Sequence, residues 1–224
     1  MQQDFNYSDE RFADLQMLRY RLKGFEELTA QQKIYIYFLA KATLSGRDIT
    51  TDQMGKYNLR IRKTLEAVYT GYRGSRNDSD YKALEVYLKR VWFSNGIYHH
   101  YGCEKFLPDF SRSFLQEAIR HLDPSSLPLR PHETVEDLCH ELLPVIFDAS
   151  LLPKRVNQAD GEDLVLTSAC NFYEGVTQEE VEDFYSKKKI PNEEVSPSWG
   201  LNSKVVKVQG KLKELPWVES GLYG

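Results

Sequence analysis

The chain has 224 residues, 29 Lys and Arg against 33 Asp and Glu, a formal net charge of −4, and 41% hydrophobic residues. That length holds one large domain or two small ones, and the composition excludes a disordered or collagen-like chain. A mildly acidic balance without a concentrated basic face argues against a general nucleic-acid binder, and no window reaches the roughly 18 uncharged apolar residues of a membrane span.

The start, Met1-Gln2-Gln3-Asp4, has neither a basic nor an apolar stretch, so no export signal is expected there. The first proline is Pro108, and the half before it is therefore open to long helices. Phe12, Leu15, Leu18 and Leu22 recur at helical spacing and predict a first helix that Gly24 stops. Thr29-Ala-Gln-Gln32 reads as a capping box. The helix behind it carries Ile34, Ile36, Tyr37, Phe38 and Leu39 on several faces, which predicts a central position, and it ends near Gly46. A third helix places Ile61, Leu65, Val68 and Tyr72 on one face, with Arg60, Arg62 and Lys63 mostly outside. After a polar loop at 74–79, a fourth carries Tyr81, Leu84, Leu88, Val91 and Trp92 and closes at Asn95-Gly96, where a left-handed cap is easy.

Ser111 caps a short helix through Phe114, Leu115, Ala118 and Ile119, and Pro124, Pro128 and Pro131 enforce an extended connection. Capping boxes at Thr134-Val-Glu-Asp137 and Thr177-Gln-Glu-Glu180 open two further helices, the first expected to kink or end at Pro144. Residues 201–208 and 211–218 around Gln209-Gly210 predict a β-hairpin, with Pro216 suited to an edge strand. The expected fold class is mainly α: a multi-helix, bundle-like domain with a C-terminal β-hairpin. Its parts are a four-helix region at 1–96, a cleft loop with shorter helices at 97–190, and the hairpin at 191–224. One hairpin alone is marginal, so the hairpin reads as a sheet cut off partway and the chain as the front part of something longer.

The chemistry-bearing residues are sparse. Cys103, Cys139 and Cys170 are far apart and form no CxxC pair, which predicts three reduced thiols. His140-Glu141-Leu-Leu-Pro144 begins like a zinc helix, but proline stands where the second histidine is needed, and His132-Glu133 fails too, with Glu136 there. No metal ligand is assigned on either. Gly71-Tyr-Arg-Gly74 lacks the ending of a phosphate loop, and Lys187-Lys-Lys189 complements a helix end. The segment Gly96-Ile-Tyr-His-His-Tyr-Gly102 is the unusual one: two glycines frame phenol and imidazole rings just past a long helix. It suits either peptide or base contact, or a packed aromatic loop that stabilises the bundle.

The run Tyr87-Leu-Lys-Arg-Val-Trp-Phe-Ser-Asn-Gly-Ile-Tyr-His-His-Tyr101 closely resembles the amino-terminal region of bacterial dipeptidyl peptidase III. Phe12-Ala-Asp-Leu-Gln16, Ala42-Thr-Leu-Ser-Gly-Arg-Asp48, Pro153-Lys-Arg-Val-Asn157, Trp199-Gly-Leu-Asn-Ser-Lys204 and Gly221-Leu-Tyr-Gly224 fit the same family in register. The resemblance implies the front third of a two-lobed, zinc-dependent peptidase that removes dipeptides from peptide amino termini. The family's His-Glu-x-x-Gly-His motif is absent from these residues, so the zinc belongs to the parent enzyme and none is expected on this chain. The hairpin would then open the β-core of the zinc-free lobe, and closure of the two lobes would complete the site. Substrate contacts are expected at Tyr98, His99, His100, Tyr101 and Gly102, with Tyr101 and Gly102 foremost. The implied partners are short peptides and the missing carboxy-terminal portion with the zinc lobe, with neither nucleic acid nor membrane. On that reading this chain alone cleaves nothing. The alternative is a free-standing, non-catalytic helical interaction module.

Overall fold

The computed structural model describes residues 5–188, 202–218 and 222. The chain is a mixture of helices and small sheets, with helix predominating. It opens with strands β1 (Ser8–Phe12) and β2 (Leu15–Leu18), an antiparallel hairpin that turns at Ala13-Asp14 with Ala13 at φ 47°. This corrects the helix expected over Phe12, Leu15, Leu18 and Leu22. Cross-strand bonds decide the outcome: Arg19 donates to both Asp9 carboxylate oxygens at 2.9 Å, and the Gln16 amide reaches Ser8 Oγ at 3.1 Å. A helical spacing of leucines has no such partners, and nothing in the segment caps a helix.

Helix α1 (Ala30–Ser45) starts at Thr29 with the expected capping box, closed by Gln32. Its expected central position is wrong for this chain, because no residue of α1 is buried. Helix α2 (Arg47–Gln53) follows after Gly46. The bundle consists of α3 (Asn58–Gly71), α4 (Ser79–Ser94), α5 (Arg112–Arg120) and α6 (Val135–Phe147). The helix pair that completes it is thus α5 and α6, in place of the first hairpin and α1. Ile61 and Leu65, Leu84 and Leu88, Leu115 and Ile119, and Leu138 and Leu142 fill its core. Each such side chain contributes roughly 1.5–3 kcal/mol of burial.

Two charges expected outside are inside. Arg62 is only 2% exposed; it donates to Thr51 Oγ1 at 2.9 Å and pairs with Asp48. Arg60 clamps Glu133 at 2.5 Å and also Glu141, tying α3 to the start and middle of α6. These pairs satisfy the guanidinium charge, which explains how a face read as solvated can be covered. Lys63 alone of the three stays half-exposed, 3.2 Å from Asp48. Pro144 does not end α6, which runs on to Phe147; lacking an amide hydrogen, Pro144 forgoes the bond to the His140 carbonyl.

Short helix α7 (Leu164–Thr167) and strand β3 (Tyr173–Glu174) lead to α8 (Gln178–Ser186), which opens with its expected box at Thr177 and Glu180. The hairpin β4 (Ser203–Val208) and β5 (Lys211–Pro216) is present, turning through Gln209 and Gly210 with φ 50° and 75°. Positive φ at both positions is the two-residue turn that matches strand twist. Pro216 closes the edge strand, and β3 pairs parallel to β4 on the other side. Val181 of α8 packs with Val176 and Val205 over this sheet, and Tyr185 Oη donates to Glu214 at 2.7 Å. The three cysteines are free. Among the described residues no helix is long and apolar enough to cross a membrane.

Candidate functional site

The aromatic loop is built outward from the end of α4. Asn95 caps the helix in the left-handed conformation (φ 54°), and Gly96 follows at φ 150°. A Cβ on Gly96 would sit 2.0 Å from Asn58 Nδ2, so only glycine passes here. Buried Asn58 then accepts from the Ile97 amide at 3.3 Å and fixes where the loop begins.

From there the chain forms a narrow reversal. The His99 amide donates to the Glu104 carbonyl at 2.7 Å, and the Cys103 amide donates to the His99 carbonyl at 3.1 Å, with Cys103 at φ 65°. Two further extended segments lie alongside. Lys105 donates to the Pro153 carbonyl at 2.9 Å, Arg155 to the Cys103 carbonyl at 2.8 Å, and Cys170 to the Arg155 carbonyl at 3.0 Å. The loop is therefore the edge of a small irregular ladder, which makes it rigid at the base.

Tyr98 is 3% exposed; its hydroxyl donates to the Leu152 carbonyl at 3.0 Å, and burial pushes its phenol pKa well up. It is a packing residue under the loop, and its ring is not presented at the surface. His99 Nδ1 accepts from the Tyr101 and Gly102 amides at 3.2 and 3.0 Å. That leaves the ring hydrogen on Nε2, 3.5 Å from Asp14 Oδ2. A backbone amide and the nearby Arg90 and His99 together hold the Asp14 carboxyl below its ordinary value against partial desolvation. His100 packs edge-to-face on Phe93, with ring centroids 4.9 Å apart, and its Nδ1 is covered with no partner among the described residues. Tyr101 is 88% exposed, at the apex. Glu104 lies against Gly102, in the space a side chain there would occupy.

A cleft of about 500 Å³ opens between Tyr101, Gly102 and Cys103 on one wall and Lys154, Val156, Gln158 and Ala159 on the other. Beneath it Arg155 donates to Cys103 Sγ at 3.2 Å and to Met54 Sδ at 3.0 Å. Thus Tyr101 and Gly102 line a cleft, His99 and His100 support them from behind, and Tyr98 lies deeper. The second wall was not among the residues singled out from sequence, although its first half, Pro153-Lys-Arg-Val-Asn157, carries part of the family resemblance. Asp14, which meets His99 from the first hairpin, was not singled out either, although it lies within Phe12-Ala-Asp-Leu-Gln16 of the same resemblance.

A larger cavity of about 660 Å³ lies elsewhere, between the ends of α3 and α5, around Tyr72, Asp80, Phe114 and Leu122. Several of its polar groups are already engaged: Asp80 accepts from Ser111 at 2.7 Å, Asp78 caps α4, and His121 Nδ1 lies 2.7 Å from the Glu117 carbonyl. Volume alone does not make it the better site.

The residues resembling half a zinc motif do not fit zinc. Glu141 is held by Arg60 and by Arg130 at 3.2 Å, while His140 stands on the exposed side of α6. Among the described residues no group of three or more His, Cys, Asp or Glu is gathered closely enough to hold a metal ion. Neither a family model nor a curated protein matches the chain.

Proposed function

We propose that this chain is the amino-terminal, peptide-holding portion of a zinc-dependent dipeptidyl peptidase, and that it belongs to the zinc-free lobe of a two-lobed enzyme. The observation that carries the reading is a convergence. The runs ending at Tyr101 and beginning at Pro153 resemble the same family, are separated by about fifty residues, and meet across one cleft. An extended peptide lies in that cleft, at the end of the ladder beyond the bond between the Arg155 amide and the Cys103 carbonyl. Tyr101 supplies a ring against which a side chain packs, and Gly102 gives up its side-chain space to the Glu104 carboxylate, which stands beside the cleft. His99 fixes the loop through the two amides it accepts, and Tyr98 anchors its base. On this reading zinc would be held by residues outside this chain and would supply Lewis-acid chemistry, while the residues of this chain bind and orient the peptide.

The test uses the longer polypeptide read from the native gene. Zinc-dependent release of dipeptides from peptide amino termini is expected, and Tyr101→Ala should raise KM about tenfold with kcat little changed, the pattern of lost uniform binding. Absence of dipeptide release refutes the reading and favours a free-standing helical interaction module. Unchanged kinetics in Tyr101→Ala removes this cleft from the site.

A further inference from the structure

Residues 5–50 contain no buried side chain, and burial begins at Thr51. Within this arm, α1 exposes Ile34, Tyr35, Ile36, Tyr37, Phe38, Leu39 and Leu44, each by 40–67%. These positions are nearly consecutive, so they point all the way round the helix. A helix apolar on every side is stable in water only when enclosed. Of its two charges, only Lys33 has an anionic neighbour among the described residues. Lys33 lies 3.9 Å from Glu26 and 5.6 Å over the Phe25 ring, and Lys41 lies 5.8 Å over Tyr37.

The area argues for an enclosing partner. Tyr35, Tyr37 and Phe38 alone leave on the order of 350 Å² of ring surface wet. A flat surface, or the matching helix of a second copy, covers one stripe of about 100°. That is a fraction of the helix surface, far short of the roughly 800 Å² per partner of a stable interface. A groove that wraps the helix covers all of it. The arm is also held in place to meet one: Lys89 pairs with Glu10 at 2.5 Å and Arg90 with Asp14 at 3.7 Å, pinning the first hairpin to α4.

We infer that α1 is a docking helix, enclosed by an apolar groove that the remaining polypeptide of the same enzyme supplies. This inference rests on the peptidase reading for the identity of its partner. The groove is lined by aliphatic and aromatic side chains and offers Lys41 either a carboxylate or an opening to water.

Amide exchange of α1 is measured on the 224-residue chain and on the longer polypeptide of the native gene, with zinc-dependent dipeptide release assayed on the latter. Exchange in α1 should slow at least a hundredfold in the longer polypeptide. Phe38→Asp there should restore fast exchange in α1. Should that variant fail to fold, the wild-type comparison alone decides. Dipeptide release without protection of α1 overturns the docking helix and leaves the peptidase reading intact. Protection without dipeptide release overturns the peptidase reading and supports the docking helix. A 224-residue chain that sediments as a dimer with α1 already protected makes a second copy the occupant and overturns the inference.

Discussion

His99 provides the sharpest probe of the cleft. Its Nδ1 holds the amides of Tyr101 and Gly102 at 3.2 and 3.0 Å, and no other partner of those amides is found among the described residues. In His99→Leu the side-chain bulk is kept and both acceptor bonds are lost. Each bond contributes about 1 kcal/mol net, since the freed amides regain water at this exposed tip. The His99–Asp14 pair, at 3.5 Å and partly exposed, adds between zero and about 1 kcal/mol. Opening of the apex therefore becomes easier by about 2 kcal/mol, close to a thirtyfold change in population. The base should stay closed, because Tyr98 is anchored on Leu152 and the Phe106 amide on the Ile97 carbonyl at 3.0 Å. Hydrogen exchange should accelerate about thirtyfold at Tyr101 and Gly102 and much less at Phe106. Peptide affinity should fall by a similar factor, because the loop then has to be ordered on binding. Unchanged exchange at Tyr101 and Gly102 would refute the latch. So would a loss of protection spread evenly over the domain.

Arg60→Met leaves Glu133 and Glu141 with only the more exposed Arg130 as a cation, 4.0 and 3.2 Å away, and about 2 kcal/mol of stability should be lost in urea unfolding. Burial pushes the Glu133 pKa up, but the Arg60 and Arg130 hydrogen bonds outweigh it and hold the group below the ordinary carboxylate value. Its contribution is thus complete above that ordinary value and lost as pH falls through the lower, folded one; the acid limb of the unfolding curve should flatten in Arg60→Met. Tyr87 is buried with its hydroxyl unpartnered among the described residues, so Tyr87→Phe should leave the thermal midpoint unchanged or raise it; a clear fall would reveal a hidden partner. Gly96→Ala forces a Cβ onto Asn58 at φ 150° and should cost about 2–3 kcal/mol, a drop of roughly 5–10 °C in midpoint by calorimetry.

Signals that act within a few residues were legible in the sequence. The boxes at Thr29, Thr134 and Thr177, the cap at Asn95 and the turn at Gln209-Gly210 all formed where their local bonding demanded. What failed depended on partners far along the chain. The leucine spacing at 12–22 lost to Arg19 and Asp9 clasping across a hairpin. The basic face at Arg60 and Arg62 turned inward because carboxylates at Asp48, Glu133 and Glu141 came to meet it. Likewise, the loop at 98–102 could be singled out from its rings and glycines, whereas the opposing wall at Lys154 and Val156 carries no chemistry that marks it on its own.

Helix α1 is the instructive case, because its pattern was read correctly and its location was not. Apolar residues on every face specify enclosure, and they say nothing about which polypeptide does the enclosing. The four-helix core closes without α1: Ile61, Leu84, Leu115 and Leu142 are all at or below 1% exposure. The same sequence that commits α1 to a buried place thus leaves it outside the one core these residues build. The two facts agree if α1 completes a second core to which this chain contributes only the helix.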